Sequence, residues 1–230
     1  FLGSMGGARL ARAVVGMATT PTGAGYWLVA ADGGVFAFGD APFRGGTGGF
    51  QINAPVVGMA PTPTGQGYWL AAADGGVFTF GDARFHGSAG AMRLNSPVVG
   101  IVPTPSGGGY WLVAADGGVF TFGDAPFLGS TGGTRLNRPI SGMAATASGF
   151  GYWLVGADGG VFAFGDAPFR GSGAGQATGT AVGLGRNAAG AYHLATSDGQ
   201  VLSFDTAGEA RVARLGRLNG SLVGLASQPR

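Results

Sequence analysis

The chain has no cysteine and no lysine, a single glutamate, and few charges of any kind: 10% of its 230 residues. Without cysteine there is neither a disulfide framework nor a thiolate metal site. All 13 basic residues are arginine, and Glu209 apart, every acid is aspartate. The net charge of +2 is a small excess, and the arginines are spread along the chain. Nucleic acid is therefore not an expected partner, because it calls for a basic patch. No run of about 20 apolar residues is free of glycine, proline and polar breaks, so no membrane span is expected. The chain opens on Phe1 without Met or a signal peptide, which leads one to expect a processed chain or a fragment.

Glycine, by contrast, is abundant, with 50 residues. Glycine richness alone would suggest disorder, but 45% hydrophobic and 11% aromatic content does not fit a disordered chain. The apolar residues fall in short runs that recur. Tyr26-Trp27-Leu28 returns at Tyr68-Trp69-Leu70, Tyr110-Trp111-Leu112 and Tyr152-Trp153-Leu154, a period of 42 residues. Each copy continues into Asp-Gly-Gly-Val-Phe-x-Phe-Gly-Asp. A fifth copy is worn: Tyr192-His193-Leu194, followed by Asp198-Gly199-Gln200-Val201-Leu202-Ser203-Phe204. A period of this length marks an array of small supersecondary pieces.

The second copy shows how one unit reads. Pro55-Val56-Val57-Gly58-Met59-Ala60 is a first strand, stopped by Pro61-Thr62-Pro63-Thr64-Gly65. Gly67 to Ala72 is a second strand. Asp74-Gly75-Gly76 supplies the positive φ angles of a tight hairpin, and Val77-Phe78-Thr79-Phe80 is a third strand. Arg84-Phe85-His86-Gly87 is expected as a short fourth strand. No segment has the period or length of a helix. The second strand is apolar on both faces, so the sheet must be covered on both sides. Stacked four-stranded sheets are the blades of a β-propeller; a β-solenoid, the other stacked architecture, rarely carries three hairpins per coil.

The expected fold is thus all-β: one propeller domain with repeats at 14–48, 56–90, 98–132, 140–174 and 181–216. The ends are out of phase. Residues 1–4 match Phe127-Leu128-Gly129-Ser130 as an orphan fourth strand, and 222–226 match a first strand. Arg217-Leu218-Asn219 repeats Arg135-Leu136-Asn137. The ring is accordingly five-bladed with frayed ends, six-bladed with a split blade, or part of a larger array. Exposed terminal strands also invite self-association.

Little in this pattern suits catalysis. Asp32, Asp74, Asp116, Asp158 and Asp198 occupy the hairpin turns, and Asp40, Asp82, Asp124 and Asp166 follow the third strands. Turn chemistry accounts for both sets. No Asp-x-Asp-x-Asp-Gly string marks a calcium loop, and no metal or cofactor is expected. His86 and His193 lie three units apart, with no nucleophile at meaningful spacing. The candidate ligand contacts are Trp27, Trp69, Trp111 and Trp153, if exposed to stack on sugars, although packing between blades is their commoner use. The variable position after the fourth-strand Phe adds Arg44, His86 and Arg170, with Leu128 in the third unit.

The string Gly-Tyr-Trp-Leu-Val-Ala-Ala-Asp-Gly-Gly-Val-Phe-x-Phe-Gly-Asp-Ala-Pro-Phe-x-Gly-Ser resembles a repeat of secreted and surface proteins of actinobacteria, over residues 1 to about 172. The resemblance implies a propeller-like array and an extracellular or cell-surface location, often beside cell-wall hydrolases. It does not resemble WD-repeat propellers, whose Gly-His and Trp-Asp signatures are missing. The functional expectation is a non-enzymatic binder of cell-envelope carbohydrate or an extracellular protein. A subunit of a surface assembly is the alternative, and a hydrolase with a central-channel site the least supported.

Overall fold

The computed structural model describes residues 2–186, 190–205, 207, 210–216, 218 and 220–225. Phe1, Glu209, Arg217, Asn219 and Ala226, which entered the reading above, lie outside them. The described residues form sixteen strands and no helix. In the first unit the strands are β1 (Val14–Thr19), β2 (Gly25–Ala30) and β3 (Val35–Gly39). The second has β4 (Val56–Pro61), β5 (Gly67–Ala72) and β6 (Val77–Gly81), and the third β7 (Val98–Pro103), β8 (Gly109–Ala114) and β9 (Val119–Gly123). The fourth has β10 (Ile140–Ala145), β11 (Gly151–Gly156) and β12 (Val161–Gly165). The fifth has β13 (Ala181–Arg186), β14 (Tyr192–Thr196), β15 (Gln200–Phe204) and β16 (Ala210–Arg214). Each unit is its own antiparallel sheet in sequence order.

Within a unit the register repeats. Tyr68 faces Phe80 and Leu70 faces Phe78 across β5 and β6, while Trp69 faces Thr79 on the other side. The β5–β6 turn is closed by Gly75 N–H to the Ala72 carbonyl (2.9 Å), with Asp74 Oδ1 accepting from Gly76 N–H at 2.9 Å. Gly75 has φ +83°, and a Cβ there would press on Ala89, so glycine serves the turn twice over. Each first strand carries a bulge before its glycine, as between Val56 and Gly58, which bends the strand and increases its twist.

The hydrophobic cores lie between sheets. Trp69 and Ala71 of the second unit are buried with Tyr110 and Leu112 of the third, and Phe120 and Phe122 pack against them. The same pairing joins units one and two, three and four, and four and five. A sheet with two apolar faces leaves this solution: β5, β8 and β11 are buried at every residue. The first strands pack side by side, β1 on β4, β4 on β7, β7 on β10 and β10 on β13. Among the described residues no buried core joins unit five to unit one.

The expected fourth strand is corrected by the structure in four units. Residues 42–46, 84–88, 126–130 and 168–172 run outside any sheet. What holds them is side chains: the Trp69 indole donates to the Arg84 carbonyl (2.7 Å), and the Tyr110 hydroxyl, from the next unit, donates to the Gly87 carbonyl (2.5 Å) and accepts from His86 N–H (3.3 Å). Among the described residues, only the worn fifth unit has a true fourth strand, β16. The two ends follow the inter-unit pattern. Tyr26 Oη donates to the Gly3 carbonyl, and Leu222 N–H reaches the Ser197 carbonyl at 3.0 Å, as Val56 N–H reaches Ala31 at 2.9 Å.

Candidate functional site

The repeated aspartates are already engaged. The turn aspartates Asp32, Asp74, Asp116 and Asp158 each accept the N–H two residues on. The second set clamps the first turn of its own unit. Asp82 Oδ1 accepts from Thr62 Oγ1 at 2.9 Å and Oδ2 from Thr64 Oγ1 at 2.5 Å, and Thr104/Ser106/Asp124 repeats the arrangement. Burial pushes the Asp124 carboxyl up, but the Ser106 and Thr104 hydroxyls outweigh it and leave the pKa lowered. Asp198, held by Thr178 and Thr196, falls from 3.8 to about 2. Among the described residues no group of three His, Cys, Asp or Glu gathers as a metal site.

Trp27, Trp69, Trp111 and Trp153 are all buried. Each ring meets the tyrosine of the following unit, with centroids 5.5–5.8 Å apart, and each indole N–H is taken by a carbonyl of its own unit. No face of these rings is left for a sugar to stack on. Tyr68, Tyr110, Tyr152 and Tyr192 have raised pKa values, because desolvation outweighs the backbone hydrogen bonds at their hydroxyls.

The variable position bridges units. Arg44 is exposed, with its guanidinium bonded to Gln66 of the next unit. His86 lies 6.4 Å from the Trp69 ring and 5.7 Å from Tyr110, its Nε2 buried without a hydrogen-bond partner. Leu128 and Arg170 give their backbone N–H to Tyr152 and Tyr192. The structure therefore places Arg44, His86, Leu128 and Arg170 at equivalent joints, one per unit, and not around one ligand. His193, in the tryptophan position of the fifth unit, is half-buried and bonds Ser203 Oγ at 2.8 Å.

Two features escape a reading of the repeat. Phe43, Phe85, Phe127 and Phe169 are 60–63% exposed, each just before the variable position. Backbone groups on either side of each ring are tied down. The Pro42 carbonyl takes the Trp27 indole, and Arg44 N–H goes to Tyr68 Oη. The rings are thus displayed by an anchored segment. The second feature is a cavity of about 420 Å³ where first strands of all five units converge, with Met17, Met59, Ile101, Met143 and Leu184 on its wall. The sequence signal for the first was a phenylalanine kept two residues after Ala41, Ala83, Ala125 and Ala167, with a proline between in three of the four units; for the second, a large apolar residue kept after the first-strand glycine in every unit. Comparison with protein-family models finds none that matches this chain, and comparison with curated proteins finds no match.

Proposed function

We propose that the chain is a non-catalytic propeller-like module of the cell exterior that binds a repetitive cell-envelope glycan, one contact per unit. The observation that carries the reading is the recurrence of an exposed, anchored phenylalanine at Phe43, Phe85, Phe127 and Phe169. Leaving four large apolar rings in water is unfavourable, and each is held at the same place in its unit, which offers the same apolar contact four times over. Equal spacing suits a polymer whose own units repeat, and several weak contacts on one scaffold gain by avidity. The propeller reading is supported by cores that lie between sheets and by five first strands sharing one cavity. The extracellular location rests on the resemblance of the repeat. Against an enzyme stands the use of the repeated aspartates in turns and clamps.

Sedimentation with purified cell-wall polysaccharide tests the reading. Each single Phe→Ser change is expected to weaken binding roughly two- to tenfold, the value of one aromatic contact. All four together should abolish it while the melting curve is kept. Undiminished binding by the fourfold variant would sink the proposal.

One observation favours the assembly alternative. Every residue of β16 is exposed, Val212 among them, and β16 pairs only with β15 among the described residues. An edge of this kind accepts another strand. Light scattering across a concentration series decides: a constant monomer mass removes this alternative.

A further inference from the structure

The cavity at the meeting of the first strands has a composition the repeat alone does not require. One layer of its wall is apolar: Met59, Ile101, Met143 and Leu184 occupy one equivalent position in successive units, each paired with the leucine of its neighbouring second strand, while Thr62, Thr104 and Thr146 add hydroxyls elsewhere on it. Methionine and branched aliphatic side chains make an adaptable lining, and about 420 Å³ lies in the range of small-molecule sites.

The last residue of each first strand also lines the cavity. In four units it is uncharged: Thr19, Pro61, Pro103 and Ala145. In the fifth it is Arg186, opposite Tyr192 in the β13–β14 register. Arg186 is half-buried and makes no ion pair or side-chain hydrogen bond among the described residues. The repeat therefore breaks its own rule at one point, and the break sets one unpaired cation on a wall whose other lining residues are uncharged. A guanidinium at such a site is suited to one planar anion, because its fixed donors match a carboxylate in pairs.

We propose that this cavity binds a single-chain amphiphile carrying one carboxylate, its apolar chain against the Met/Ile/Leu wall and its carboxylate on Arg186. The site shares no residue with the phenylalanine row, so either reading can fail without the other.

Titration calorimetry of the folded chain with decanoate, decanol and acetate, below the concentration at which decanoate forms micelles, tests it. Decanoate should bind at one equivalent, decanol more weakly by about tenfold or more, and acetate not measurably, since one charge-assisted bond is lost in decanol and the chain is lost in acetate. Arg186→Gln should bring decanoate down to the affinity of decanol and leave decanol unchanged. Ala145→Trp, which adds bulk to the wall at a half-buried position, should abolish both. Phe85→Ser should change neither. The proposal is overturned if decanoate does not bind at about 1 mM, if Arg186→Gln binds it as tightly as the parent, or if Ala145→Trp retains the site while keeping the parent's melting curve.

Discussion

Asp198 shows how the worn unit reuses a residue inherited from the repeat. In units one to four the turn aspartate bonds only forward along its own hairpin. In unit five Asp198 collects the hydroxyls of Thr178 and Thr196, and Arg214 from β16 stands 3.6 Å away. Those hydroxyls favour the charged form and draw its pKa to about 2. A folded value below the unfolded one adds stability that is complete above the ordinary value of 3.8 and is lost as pH falls toward about 2. Thermal melts from neutral pH down to that range should show this loss in the parent. In Asp198→Asn the midpoint should start lower and fall less over the same window. An unchanged acid slope in the variant would remove Asp198 as its source. The exposed Arg214 pair adds little on its own, as solvent-exposed ion pairs do.

At the scale of elements, the second strand and its hairpin decide the structure. The Asp-Gly-Gly turn, both flanking strands and the start of every first strand were readable from local signals, because glycine at positive φ and short apolar runs bounded by turn residues act within a few residues of themselves. The fourth strand was not readable. Arg84 to Gly87 has the composition of a strand, yet its backbone is claimed by the Trp69 indole and by Tyr110 of the next unit. That competition is settled by packing between units, which no local pattern displays. The candidate site divides along the same line. A tryptophan on a two-faced sheet is equally apolar whether covered or bare; only the stacking of unit on unit buries Trp27, Trp69, Trp111 and Trp153 and leaves Phe43, Phe85, Phe127 and Phe169 outside. Arg186 is visible as a departure from Thr19, Pro61, Pro103 and Ala145, but means nothing until five first strands are seen to share a cavity. The tryptophan thus has two jobs, core and clasp. Trp111→Ala should cost about 3–5 kcal/mol from lost burial, and it also frees the Pro126 carbonyl. Phe at the same position keeps most of the area and loses the indole donor, so Trp111→Phe should fall between parent and Ala in urea denaturation. Equal midpoints for Phe and parent would show that the clasp contributes nothing.

For the whole molecule, the consequence is that stability resides in interfaces between neighbouring units. Each core is built from the tryptophan side of one sheet and the tyrosine side of the next, so any unit of the first four offers its successor the same surface. An array of this kind behaves as a sum of units and nearest-neighbour contacts. Removing residues 98–139, one complete period, brings Trp69 against Tyr152 in place of Tyr110, with the flanking Ala71 against Leu154 in place of Leu112. The spliced joint is chemically the old one, and Val98 is replaced at the junction by Ile140, which is equally buried. The shortened chain should therefore fold, keep a β-rich circular dichroism spectrum, and melt cooperatively at a lower temperature, short of one interface. The cavity tells a separate story, because residues from the first strands of all five units line it. Loss of Ile101 from its wall should weaken decanoate binding even though Arg186 remains. A shortened chain that is unfolded would mean that the units are not interchangeable neighbours, and that long-range closure carries the fold instead of the joints between successive sheets.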